Sequence, residues 1–172
     1  MTDKLRFPIG TFTKPENITN DNLQQRILDI ETFPSRLKSA IKNTKNSDLS
    51  RQYRPKGWTI RQVINHCADS HMNSLMRFKL ALTEDNPTIK PYMEAHWAEL
   101  ADSLADNIEP AISMLEGIHC RWVILLRSLS TEQLKRTFIH PEHGNKVSLE
   151  ENIGIYAWHC NHHLAHVKLA LE

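Results

Sequence analysis

Apolar side chains return at helical spacing along four stretches of this chain. In the first, Leu23, Ile27, Ile30, Leu37 and Ile41 predict a helix that begins near Asp21, a residue suited to the N-cap. Pro34 lies inside it and is expected to kink or divide it, because a proline ring removes one backbone donor and crowds the preceding turn. Residues 44–57 are polar, end in Arg54-Pro55-Lys56-Gly57, and read as a loop. Thr59 with Gln62 three positions on forms a capping box that opens the second helix. Ile60, Val63, Ile64, Cys67, Ala68, Met72, Leu75, Met76 and Leu80 then make a stripe of period 3.6, and the helix is expected to stop near Thr83. A short helix is expected after Pro91, through Trp97. The third long helix covers residues 110–129 and carries Ile112, Leu115, Ile118, Trp122, Leu125 and Leu126. Ser130 and Gln133 suggest a brief capped turn, and residues 137–147 read as irregular. Ser148 with Glu151 caps the last helix, which is expected to run almost to the end. Pro8, Gly10 and Pro15 make residues 1–20 an extended arm. No convincing alternation of a strand is present. The expected fold is all-α, an antiparallel four-helix bundle forming one domain over residues 1–172 with that N-terminal arm.

Composition narrows the function classes. The chain has 172 residues, 40% hydrophobic and 24% charged, enough to bury a core without staples. Its 21 basic and 20 acidic residues nearly cancel, which gives no support for nucleic acid or an anionic membrane as partner. No apolar run is long enough to span a bilayer, and the start MTDKLRFPIG lacks a signal core, so the expected location is cytoplasmic. Cys67, Cys120 and Cys160 are odd in number and widely spaced, which argues against a disulfide framework or a thiolate zinc finger. Small buried side chains on helices are the expected role of all three.

Histidine is the deviation that carries chemistry. Of the 10 in the chain, His159, His162, His163 and His166 crowd into one stretch of the last helix. Residues four apart share a helix face, so His159 with His163, or His162 with His166, can present two imidazole nitrogens to one divalent ion. The best third donor is His66 on the second helix. Gln62 before it and Asp69, Asn73 and Arg77 after it stand at helical spacing as a polar stripe, and Asp69 is a candidate to hold a ligand imidazole by its other N–H. His71 is set too far around the helix to share an ion with His66. His96, His119, His140 and His143 read as ordinary surface or core residues. Three neutral imidazoles leave one coordination position open, the arrangement of a catalytic zinc site. No Glu follows the first histidine of the cluster as in H-E-x-x-H, which disfavours a zincin-type protease.

The segments Arg6-Phe-Pro-Ile-Gly-Thr-Phe12, Gly57-Trp-Thr-Ile-Arg-Gln-Val-Ile-Asn-His-Cys-Ala-Asp-Ser-His-Met-Asn-Ser74, Arg77-Phe-Lys-Leu80 and Trp158-His-Cys-Asn-His-His-Leu-Ala-His166 resemble the DinB/YfiT-like superfamily, and within it the YfiT group of metal-dependent hydrolases. The resemblance implies a four-helix bundle with an inward-facing site of three histidines, one divalent ion per subunit (zinc or nickel), a homodimer and a cytoplasmic location. It puts the ligands on His66, His159 and His163, with His162 and His166 as a competing register. It implies a small-molecule substrate and hydrolysis by an activated water. Two alternatives stand beside it: transfer of a low-molecular-weight thiol such as bacillithiol on the same ion, and a metal-binding module without catalysis. His166 is followed by Val167-Lys168 where many wider relatives read Arg-Gly-Gln, so features tied to that tail do not carry over. Trp97, Trp122 and the arm are the candidates for a dimer interface.

Overall fold

The structure is a computed structural model that describes residues 2–142 and 144–172; His143 lies outside the described residues. The chain begins with α1 (Thr2–Arg6), so the arm expected to be extended starts with one helical turn before it turns over Pro8-Ile9-Gly10. The first long helix is α2 (Asn20–Ile41). Its cap is Thr19 rather than Asp21: the Thr19 side chain accepts from the Asn22 N–H. Asp21 sits instead in the first turn, where a negative charge favours the positive end of the helix dipole. Pro34 does not divide α2, which runs unbroken past it.

A 3₁₀ turn (Asn46–Ser50) interrupts the expected loop before α3 (Ile60–Thr83). The Thr59–Gln62 capping box forms as its spacing predicts. Two short helices follow, α4 (Glu94–Trp97) and α5 (Ala101–Leu104), then α6 (Glu109–Arg127) and α7 (Thr131–Leu134). Where residues 137–147 were expected to be irregular, β1 (Thr137–His140) pairs antiparallel with β2 (Asn145–Ser148). The hairpin closes through Gly144, whose φ of 64° suits a residue without Cβ. Last comes α8 (Leu149–Leu171), capped by Ser148 on the Glu151 N–H.

The four long helices form the bundle. α8 packs against both α2 and α3, and α6 packs against the same two from the other side. Helices consecutive in sequence, α2 and α3, therefore occupy opposite corners, and the first and last long helices are neighbours. Ile30, Phe33 and Leu37 from α2, Ile64, Cys67 and Phe78 from α3, Leu115 and Trp122 from α6, and Ile153, Cys160 and Val167 from α8 are all nearly inaccessible. Each such aliphatic or aromatic side chain contributes roughly 1.5–3 kcal/mol by leaving water. Ile60, Val63, Ile64, Cys67, Ala68 and Leu75 of the predicted α3 stripe are buried, but Met72 and Met76 are 40% and 47% exposed, and beyond Ala68 the deepest positions include 71, 74 and 78. The apolar stripe misled because His71 and Ser74, both at 0% exposure, take core positions that hydrophobicity alone would not give them. No helix among the described residues is long and apolar enough to cross a membrane.

The arm lies along α8. Trp158 donates its indole N–H to the Gly10 carbonyl at 3.1 Å, and Phe12 packs edge-on against the Trp158 ring. Phe7 meets His162, and the Arg6 carbonyl reaches His166. Residues 6–12 thus cover the outer face of the stretch that carries the four histidines.

Candidate metal centre

His66 sits two turns into α3, on the side that faces α8, and Trp58 closes over it from the capping loop with ring centroids 4.8 Å apart. His159 and His163 stand one turn apart on α8, their centroids separated by 4.4 Å. The Nε2 atoms of His66 and His159 are 3.2 Å apart. A ring nitrogen from each of His66, His159 and His163 lies within 4.8 Å of the other two. Two nitrogens about 2.0–2.1 Å from one tetrahedral ion stand about 3.3 Å apart, close to the His66–His159 separation. His66 and His163 are buried, while His159 is partly exposed.

Two further rings tie the far nitrogens of the α8 pair. His159 Nδ1 lies 3.1 Å from His71 Nε2, and His71 Nδ1 lies 2.7 Å from His119 Nε2. His119 Nδ1 in turn is 2.6 Å from the carbonyl of Ile30. That carbonyl is the one Pro34 leaves without its helical N–H, since the lost bond runs from residue 34 to residue 30. On the other side, His163 Nδ1 is 3.4 Å from His166 Nδ1, and His166 Nε2 is 3.1 Å from the Arg6 carbonyl. Tyr53 stacks on His166 at 3.8 Å, and Trp158 stacks on His162 at 4.4 Å.

Burial keeps these imidazoles neutral. It lowers His66 to about 4, helped by the nearby His162 and His166 rings. Burial likewise takes His119 to about 4 against the pull of the Ile30 carbonyl, and His162 to about 4. His71, His159 and His163 fall well below the usual imidazole value, first from burial and then from mutual repulsion. The thiols of Cys67 and Cys160 are pushed up by burial, so neither offers a thiolate. Two other groupings include them, Cys67 with His71 and His159, and His71 with His119 and Cys160.

In the competing register, His162, His163 and His166 also bring one ring nitrogen each within 4.8 Å of one another. His166 spends Nε2 on the Arg6 carbonyl, and His162 packs between Trp158 and Phe7. Asp69 makes no hydrogen bond to an imidazole among the described residues; burial raises its carboxyl to about 6. The groups behind the α8 pair are histidines instead. His71, read from sequence as too far around the helix to share an ion with His66, and His119, read as ordinary, are those residues, and His119 lies on the α6 seam with Ile112, Leu115, Trp122 and Leu126. That seam position was the available signal: a histidine at a core register must find a partner inside. His96 is exposed on α4, and His140 ends β1. Trp122, at 0% exposure, belongs to the core and to no interface. Cys120 is exposed, unlike the other two cysteines.

A cleft of about 370 Å³ opens beside the cluster, lined among others by Arg6, Tyr53, Arg54, Lys56, Trp58 and His166. Its size falls in the range of small-molecule sites.

Comparison with known proteins agrees with this architecture. The profile of the DinB superfamily matches residues 29–167. Proteins of Bacillus cereus and Bacillus anthracis, named "Putative metal-dependent hydrolase", are 52% identical over 163 residues, covering 95% of this chain and 93% of theirs. The solved structure of YfiT from Bacillus subtilis, described with an unusual four-helix bundle topology, superposes with a TM-score of 0.92 at 43% identity, covering 95% of this chain and 94% of that one. A mycothiol-dependent maleylpyruvate isomerase shares the fold, with a TM-score of 0.67 at 17% identity over 84% of this chain and 60% of that one.

Proposed function

The chain belongs to the DinB superfamily, and from that premise we propose that it is a metal-dependent hydrolase in which His66, His159 and His163 hold one divalent ion. The observation that carries this reading is the approach of two imidazole Nε2 atoms to 3.2 Å, with a nitrogen of His163 beside them. Neutral rings at that separation repel through their lone pairs unless a proton or a cation lies between. Three neutral nitrogen donors suit zinc or nickel and leave a coordination position for a reacting molecule. An ion bound there would supply Lewis acidity and lower the pKa of water towards neutrality.

The protein's own contribution is enclosure and orientation. Trp58 shields His66 from solvent, and Tyr156, hydrogen-bonded to Ser70, packs against His159 from the opposite side. The cleft beside the cluster carries Arg6, Arg54 and Lys56 against the single carboxylate of Glu94, which favours a small substrate bearing negative charge.

Metal analysis of protein purified without a histidine tag tests the reading. About one zinc or nickel ion per chain is expected. His66→Ala, His159→Ala and His163→Ala should each release it, and His162→Ala should retain it. A panel of esters and amides should be turned over, acidic ones ahead of basic ones, with loss of turnover on chelation and recovery on adding metal. Full hydrolysis after exhaustive metal removal would overturn the proposal. So would turnover seen only with an added low-molecular-weight thiol and an electrophile such as chlorodinitrobenzene, which assigns thiol transfer instead.

A further inference from the structure

We propose that His71, His119 and His166 are positioning residues: two imidazole chains, each ended by a backbone carbonyl, fix the tautomers of His159 and His163 and so aim both Nε2 lone pairs at one point. The proposal rests on the ligand set put forward above. A carbonyl oxygen only accepts, so His119 Nδ1, 2.6 Å from the Ile30 carbonyl, must carry the proton. A neutral ring with a protonated Nδ1 has an accepting Nε2. His71 therefore donates from Nδ1 across 2.7 Å, which leaves its Nε2 to accept from His159 Nδ1 at 3.1 Å. His159 is left with a bare Nε2, the atom that faces His66.

The second chain follows the same rule. The Arg6 carbonyl requires the proton of His166 on Nε2, so His166 Nδ1 accepts from His163 Nδ1 at 3.4 Å. His163 is left with Nε2 bare as well. Pro34 has a part in this. By removing the amide that would occupy the Ile30 carbonyl, it leaves that oxygen for His119. A metal ligand whose other ring nitrogen donates to a fixed acceptor is held in orientation, and losing the acceptor costs about 10–100-fold in affinity.

Two readouts test this, neither of which is activity. Long-range ¹H–¹⁵N spectra of the metal-free wild type should show His159 and His163 protonated on Nδ1. Zinc affinity is then measured by competition with a chromophoric chelator. His71→Leu and His166→Leu should each weaken zinc binding by about 10–100-fold and move the affected ring towards Nε2–H. His71→Gln keeps an acceptor at the ε position and His166→Asn keeps one at the δ position, so both should bind within about threefold of wild type. Nε2–H on His159 and His163 in the wild type overturns the inference, whether or not any variant folds. Unchanged zinc affinity in both leucine variants does the same. If His66→Ala, His159→Ala and His163→Ala all keep their zinc, the ligand set itself fails, a result separate from the tautomer measurement.

Discussion

Acid should unfold the metal-free protein well before it unfolds an ordinary bundle of this size. The perturbation is a drop from about pH 7.5 to 5.0. His66 and His119 are 5% and 2% exposed and stand near 4, against 6.5 for an unfolded imidazole. The sign follows from which state holds more protons. Between 6.5 and 4 the unfolded chain binds protons that the folded chain refuses, so stability falls as the pH falls. For each of the two rings the loss over that drop is ~2 kcal/mol, or ~4 kcal/mol together. His71, His159 and His163 are shifted in the same direction and add to it. Asp69 opposes them: its folded carboxyl, raised to about 6, takes up a proton before the unfolded one does. It is only half enclosed, which keeps its effect small. Against a total stability of about 5–15 kcal/mol, a loss of ~4 kcal/mol is large. With a urea slope near 2 kcal/mol/M, the midpoint should fall by about 2 M. The assay is urea unfolding of chelator-treated protein, followed by far-ultraviolet circular dichroism. His119→Leu should start less stable at pH 7.5 yet lose ~2 kcal/mol less on acidification, because one refusing ring is gone. A midpoint that moves by less than about 0.5 M would refute the reasoning.

Further outcomes follow from the same structure. Zinc at about 100 times its Kd should stabilise the native chain by ~2.7 kcal/mol at neutral pH, read as a rise in Tm that His66→Ala abolishes. Phe78 of α3, fully buried against Trp122 of α6, should cost about 3–5 kcal/mol when cut to alanine, measured by urea unfolding at neutral pH. Thr59→Ala removes the acceptor for the Gln62 N–H and should cost ~1 kcal/mol in the same assay. Under native conditions a bulky maleimide should label Cys120 alone, with Cys67 and Cys160 reacting only after denaturation; mass spectrometry of the digest reports this.

What could be read beforehand was mostly local. The boxes at Thr59–Gln62 and Ser130–Gln133 and the Ser148 cap are short-range hydrogen bonds whose partners lie three residues apart, and all formed. Pro34 misled because its cost depends on what meets the freed carbonyl, and His119 belongs to a helix 89 residues away. The hairpin escaped because each strand has four residues, too few for alternation to show, and only Phe138 of β1 is fully buried. At the site, the histidine pairs on α8 were legible from i, i+4 spacing, but spacing fits both pairs equally. What sets the two pairs apart lies in contacts from elsewhere: the arm meets His166, and α3 brings His66 and His71 onto His159. Read along their helices as core registers, His71 and His119 carried a signal that a count of apolar residues overlooks.

The contact between the Arg6 carbonyl and His166 bears on how the protein is handled. An affinity tag or leader fused just ahead of α1 enters the neighbourhood of a ring that steadies the cluster. A fusion after Glu172 extends from the end of α8, about two turns beyond His163. Polyhistidine at the front is the least suitable choice, because it adds loose imidazoles beside the place where the ordered ones converge.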